Sequence, residues 1–153
     1  MTLGETMSLR ERKLWCELLI DVVIAVYYFS HALPLLAEPD PQFGAITALI
    51  GKCIGLAIVL AIIVFSLAHV DAPEQPSDER DQLFDARGNA IAYFTLLGCV
   101  SLMMVQVSVA ELAPDRAPFQ MTPMVVVHLL LLSVILSSTV KAVVQLISYR
   151  RGY

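Results

Sequence analysis

Four long apolar stretches separated by short polar ones set the pattern of this chain. They cover approximately residues 14–36, 43–70, 89–112 and 121–148. Each reaches the roughly 20 residues that a helix needs to cross a hydrocarbon core about 30 Å thick. The pattern predicts an all-α, polytopic membrane protein of four transmembrane helices. The second stretch is long enough to tilt or to project from the lipid. The connections fit this division. Ala37-Glu38-Pro39-Asp40-Pro41-Gln42 and Ala113-Pro114-Asp115-Arg116-Ala117-Pro118 are proline-punctuated turns. Thr122-Pro123 suits the first turn of the fourth helix, where a missing N–H removes no hydrogen bond. Residues 71–88 form the one sizeable polar segment and are expected to be a loop. Short connections make consecutive helices neighbours, so a single domain over 1–153, a closed antiparallel four-helix bundle, is the expected architecture.

Composition points the same way. Of 153 residues, 58% are hydrophobic and 16% charged, against roughly 45–50% and about 25% in soluble domains. Basic residues divide unevenly between the two ends of the spans. Arg10, Arg12, Lys13, Arg80, Arg87, Arg150 and Arg151 fall on one side and Arg116 on the other. The positive-inside rule then puts both termini and the 71–88 loop in the cytoplasm, in a cell inner (plasma) membrane. A formal net charge of −4 argues against a nucleic-acid partner. The basic start and Ser30-His31-Ala32 raise a cleavable signal peptide. The apolar run is too long for one, however, and contains Glu17 and Asp21, which favours a retained helix. Cys16, Cys53 and Cys99 have no metal spacing and are expected to be small packing residues.

Ionisable groups inside a membrane are costly and normally face a protein interior, which makes them the most informative positions. Glu17, Asp21, Tyr28 and His31 share one stripe of the first helix, and Ser137, Ser138, Lys141, Gln145 and Ser148 one stripe of the fourth. At about 1.5 Å rise per residue, Asp21 lies roughly 12 Å in from Lys13 and Lys141 roughly 13 Å in from Arg150. The matching depths predict an intramembrane Asp21–Lys141 ion pair, extended toward the cytoplasm by Glu17 and Gln145. It would be either a structural lock or an ion-sensing site.

Lys52 has no acid at its own depth. Glu111 comes within reach if the lysine stem snorkels outward, and Tyr28 offers a hydroxyl at similar depth, so Lys52 is a structural lysine or a site for an anionic headgroup or small ligand. His31 and His128 invite a bis-histidine haem. Yet His128 is about 140° around its helix from Lys141, which turns it toward a flank or the lipid, and no CxxCH occurs. No cofactor or metal is expected. Ala48, Gly51 and Gly55 put small residues on one face of the second helix, for tight intramolecular packing or for a homo-oligomer. No GxSxG, P-loop, HExxH or dinucleotide-binding motif occurs, so enzyme chemistry has no support in the sequence.

The polar segment contains Asp78-Glu79-Arg80-Asp81, with Ser77 or Asp78 as a good helix N-cap. Leu83, Phe84, Ile91 and the stem of Arg87 suit a short helix on the membrane surface, and Gly88 a bend into the bilayer. Asp78-Glu79-Arg80-Asp81, the apolar position at Leu83 or Phe84, and Arg87, Asn89 and Tyr93 resemble the DUF2178-like family of small bacterial membrane proteins. The resemblance covers about sixteen residues plus the four-span layout. It implies an inner-membrane protein without a known catalytic activity. Function is therefore expected to be non-enzymatic, that of a regulatory or accessory subunit. Asp78, Glu79, Arg80, Asp81 and Arg87 would dock a protein partner, alongside membrane lipid. The alternative is a small transporter or ion-coupled channel using Asp21, Lys141 and Lys52.

Overall fold

A computed structural model describes residues 9–36, 42–69, 78–116 and 121–151. Residues 1–8, 37–41, 70–77, 117–120 and 152–153, and with them most of the turn expected over 37–42, lie outside the described residues. Within them the chain is all-helical: α1 (Leu9–Leu36), α2 (Phe43–His69), α3 (Glu79–Leu112) and α4 (Pro123–Arg151), with a 3-10 turn at Pro114–Arg116. All four α-helices are long and apolar enough to cross a membrane. Their outward faces are apolar as well, as Ile58 and Ile62 on α2 and Leu102 and Met104 on α3 show. Apolar surface of that extent suits lipid and not water.

Local signals account for the helix ends. Asp78 is the N-cap of α3 in a reciprocal capping box. Its carboxylate accepts from the Glu79 N–H at 2.7 Å, and its own N–H donates to Asp81 at 3.3 Å. At the start of α4, the Thr122 hydroxyl accepts from the Val125 N–H at 3.3 Å, and Pro123 is the first helical residue. Pro34 lies within α1, close to its C-terminal end. Helix α3 departs from the expected layout. The segment from Glu79 to Gly88 is not a loop but the first ten residues of a continuous 34-residue helix. At about 1.5 Å per residue α3 is roughly 50 Å long, some 20 Å more than a bilayer core requires. The polar residues hide this extension from a hydropathy pattern, which reads only the apolar part.

The packing is an open row, not a closed bundle. Interfaces join α2 to α1, α1 to α4 and α4 to α3, while α2 and α3 share none of comparable extent among the described residues. The principal apolar core lies between α1 and α2, where Ile24, Tyr28 and Ala32 meet Leu49 and Cys53. Leu131 and Ile135 of α4 pack against its edge. Helix α4 therefore has two occupied faces, one on α1 and one on α3. Serines use the sites expected of them. Ser133 and Ser148 bond back to carbonyls of their own helix, and the Ser137 hydroxyl crosses to the Ala92 carbonyl of α3 at 2.8 Å.

Candidate functional site

Several polar residues of the apolar spans gather along the seam between α1 and α4. Contacts here run in opposing chain order. Glu11 meets Arg150 at 3.4 Å, Glu17 meets Lys141 at 3.9 Å, and Tyr28 meets His128. This register corrects the expected ion pair. Lys141 stands level with Glu17 and pairs with it, not with Asp21, which lies one turn further along and rests against Ser138 and Thr139. Depth counted from the nearest basic residue of each helix was one turn out, because Lys13 and Arg150 are not themselves level. Lys141 remains a charged neighbour of Asp21, and one Asp21 oxygen, Oδ2, is buried with no hydrogen-bond partner.

Further along the seam, Tyr28 is fully buried, and its hydroxyl and His128 Nδ1 form a hydrogen bond in which either group can donate. The rings meet edge-on, with centroids 5.5 Å apart. His128 is itself buried, and its Nε2 has no partner. The expectation that His128 turns toward a flank assumed one inward face on α4; with two, the residue falls on the α1 side. His31 does not join it. It lies exposed beside Tyr27, its Nδ1 2.8 Å from the Tyr27 carbonyl. The two histidines are not brought together.

Gln145 belongs to the other face of α4. Its Nε2 donates to Asp85 at 3.1 Å, so it ties α4 to α3 instead of extending the Glu17 pair. It lies across Gly88, where an added Cβ would come within 2.6 Å of Gln145 Cγ. Gly88 is thus a point of close helix approach and not a bend. Beyond it, Asp81 is held from two sides. It accepts from the Tyr149 hydroxyl at 2.8 Å and pairs with Arg10 at 3.3 Å. The same guanidinium reaches Asp85 at 3.6 Å. The N-terminal ends of α1 and α3 and the C-terminal end of α4 therefore meet in one cluster. Arg80 stacks over Phe84, its own i+4 neighbour, at 5.2 Å. Of the residues expected to dock a partner, Asp78 caps the helix and Asp81 is engaged internally. Glu79, Arg80 and Arg87 remain exposed.

The outer edge of α2 holds the remaining candidates. Lys52 is exposed and makes no ion pair with Glu111, since α2 and α3 stand at opposite edges of the row. The Tyr28 hydroxyl is committed to His128. Ala48, Gly51 and Gly55 are likewise exposed, and nothing lies within 4 Å of a Cβ built on either glycine. The expected intramolecular packing through this face does not occur. Three participants escaped the sequence reading. Asp85, Tyr149 and Arg10 show no interior stripe, because they act at helix ends where polar residues ordinarily face solvent.

Comparison of the chain with family models, curated proteins and solved structures returns no match.

Proposed function

We propose that the chain is a multi-pass, non-enzymatic protein of the bacterial inner membrane. Its helices alternate in direction, both termini lie in the cytoplasm, and it acts as an accessory subunit to a membrane partner. The resemblance to the DUF2178-like family and the uneven placement of Lys and Arg support the location. One observation carries the role: Lys52 is exposed on the outer edge of α2, about 13 Å along the helix from Phe43. A lysine near the middle of a lipid-facing helix costs about 2.5–3.5 kcal/mol on insertion scales. A carboxylate on a partner helix at that depth relieves the cost. Gly51 and Gly55, on the same exposed edge, let a second backbone approach closely. Glu79, Arg80 and Arg87, on the cytoplasmic extension of α3, supply a second contact outside the lipid.

The test is a photo-crosslinking residue at position 55 in living cells. The expected result is one defined protein adduct whose partner helix bears a mid-span Asp or Glu, and which Lys52→Met abolishes. Lipid adducts alone, or an adduct between two copies of this chain, would refute the accessory role. Reporter fusions at the two ends check the threading and should report the same face.

A second reading, ion-coupled transport, draws on the α1–α4 seam. There Asp21 Oδ2 is buried without a partner one turn from the Glu17–Lys141 pair, and His128 Nε2 is buried without one further along, at the level of Tyr28. Intramembrane proton relays use ionisable groups of these kinds. Lys52 stands outside that seam. Proton flux into dye-loaded vesicles that is lost in Asp21→Asn would favour this reading over the first.

A further inference from the structure

Near the cytoplasmic end of the α1–α4 pair, a groove of about 290 Å³ opens on the outer surface. Its body is apolar: Trp15 and Leu18 on α1 face Val143, Leu146 and Ile147 on α4. Its mouth is cationic, formed by Arg150 and Arg151. The Arg150 guanidinium lies over the Trp15 ring at 5.7 Å and is also paired with Glu11. Arg151 is exposed and makes no ion pair among the described residues.

We propose that this groove binds an anionic phospholipid of the cytoplasmic leaflet. One acyl chain lies along Leu18, Val143 and Ile147, and the phosphate sits on Arg151 beside Arg150. The grading from apolar to cationic follows the grading of a lipid from chain to headgroup. Trp15 stands at the boundary, where indole rings are favoured. Val143 and Ile147 are exposed on the groove's rim, so the groove is continuous with the apolar surface that faces the bilayer. Two guanidinium groups against the one Glu11 carboxylate leave a positive charge at the mouth. A headgroup with a net negative charge answers it better than one carrying its own cation. Basic pockets between helices on the cytoplasmic side recognise anionic headgroups by this means. The inference rests on the membrane threading proposed above, but not on the accessory role.

The chain contains one tryptophan, so its fluorescence reports on this groove alone. The full chain is reconstituted in phosphatidylcholine vesicles, and Trp15 quenching by phosphatidylglycerol with brominated acyl chains is compared with quenching by brominated phosphatidylcholine. The expected result is quenching by the anionic lipid at lower mole fraction, by about fivefold for each arginine engaged, weakening as salt rises. Arg151→Gln removes about one such factor. Val143→Phe fills the apolar body and removes the preference without altering charge. Equal quenching by the two lipids in the unaltered chain overturns the proposal. A preference that survives Val143→Phe places the lipid elsewhere and overturns it too. No quenching by either lipid would instead refute the membrane threading.

Discussion

Replacing Gly88 with alanine adds one methyl group where Gln145 lies across α3. That methyl would stand 2.6 Å from Gln145 Cγ, 2.9 Å from Cδ and 3.0 Å from Nε2, so the side chain must move by about 1 Å to restore ordinary contact. Gln145 is 2% exposed and has little room to swing. Either its bond to Asp85 breaks or the two helices separate. Overpacking of this kind costs about 1–3 kcal/mol, and a lost hydrogen bond adds about 1 kcal/mol. Alanine returns about 1 kcal/mol through its better helix propensity. The expected net loss is about 1–3 kcal/mol. It is measured by unfolding in mixed micelles of rising dodecyl sulfate content, followed by far-ultraviolet circular dichroism. In a Gln145→Ala background Cγ is gone, and the same Gly88→Ala change should become neutral or stabilising. The coupling then falls within the range of about 0.5–3 kcal/mol found for residues in contact. If Gly88→Ala stabilised both backgrounds equally, the close approach of α3 to α4 would be disproved.

Two further outcomes follow from the α1–α4 seam. Glu17→Gln removes the partner of Lys141 and should destabilise more than Asp21→Asn. The loss should lie between the roughly 1 kcal/mol of an exposed ion pair and the roughly 3–5 kcal/mol of a buried one, since both side chains are 35% exposed. A larger loss in Asp21→Asn, in the same micelle titration, would restore the Asp21–Lys141 pair and contradict the register described here. Tyr28→Phe leaves His128 with neither ring nitrogen bonded and should lower stability by about 1–3 kcal/mol. Adding His128→Leu should recover most of that loss, and a double variant as unstable as the sum of its parts would rule out the hydrogen bond.

Much of the architecture is legible without coordinates, because bilayer thickness imposes a length that few residue patterns can hide. The helix-start signals at Asp78 and Thr122-Pro123 also act locally and can be read locally. Adjacency of the first and last helices is expected from a closed bundle, and it holds although the row is open. Which acid meets Lys141 is not legible, since one turn of register separates Glu17 from Asp21 and only packed side chains set it. The short helix expected after Asp78 is present, but it runs unbroken through Gly88 into the third span, because its capping box and its ties to Arg10 and Tyr149 hold a polar stretch in line with the apolar one. Gly88 is ambiguous for a related reason: a glycine that permits a bend and one that admits a neighbour's side chain look alike in a sequence. His128 is buried against α1 because α4 has two inward faces, where the stripe through Lys141 shows only one.

The open row has a consequence for biogenesis. Helix α2 packs on α1, its predecessor, whereas α3 packs on α4, which leaves the ribosome after it. During synthesis the first two helices are able to fold together at once, while the third must wait in the lipid. Two hairpins then dock through the α1–α4 face and the ties from Arg10 to α3, and until they do, Glu17, Asp21 and Lys141 stand uncovered. A nascent chain halted after its third helix would keep both acids without their lysine counterpart.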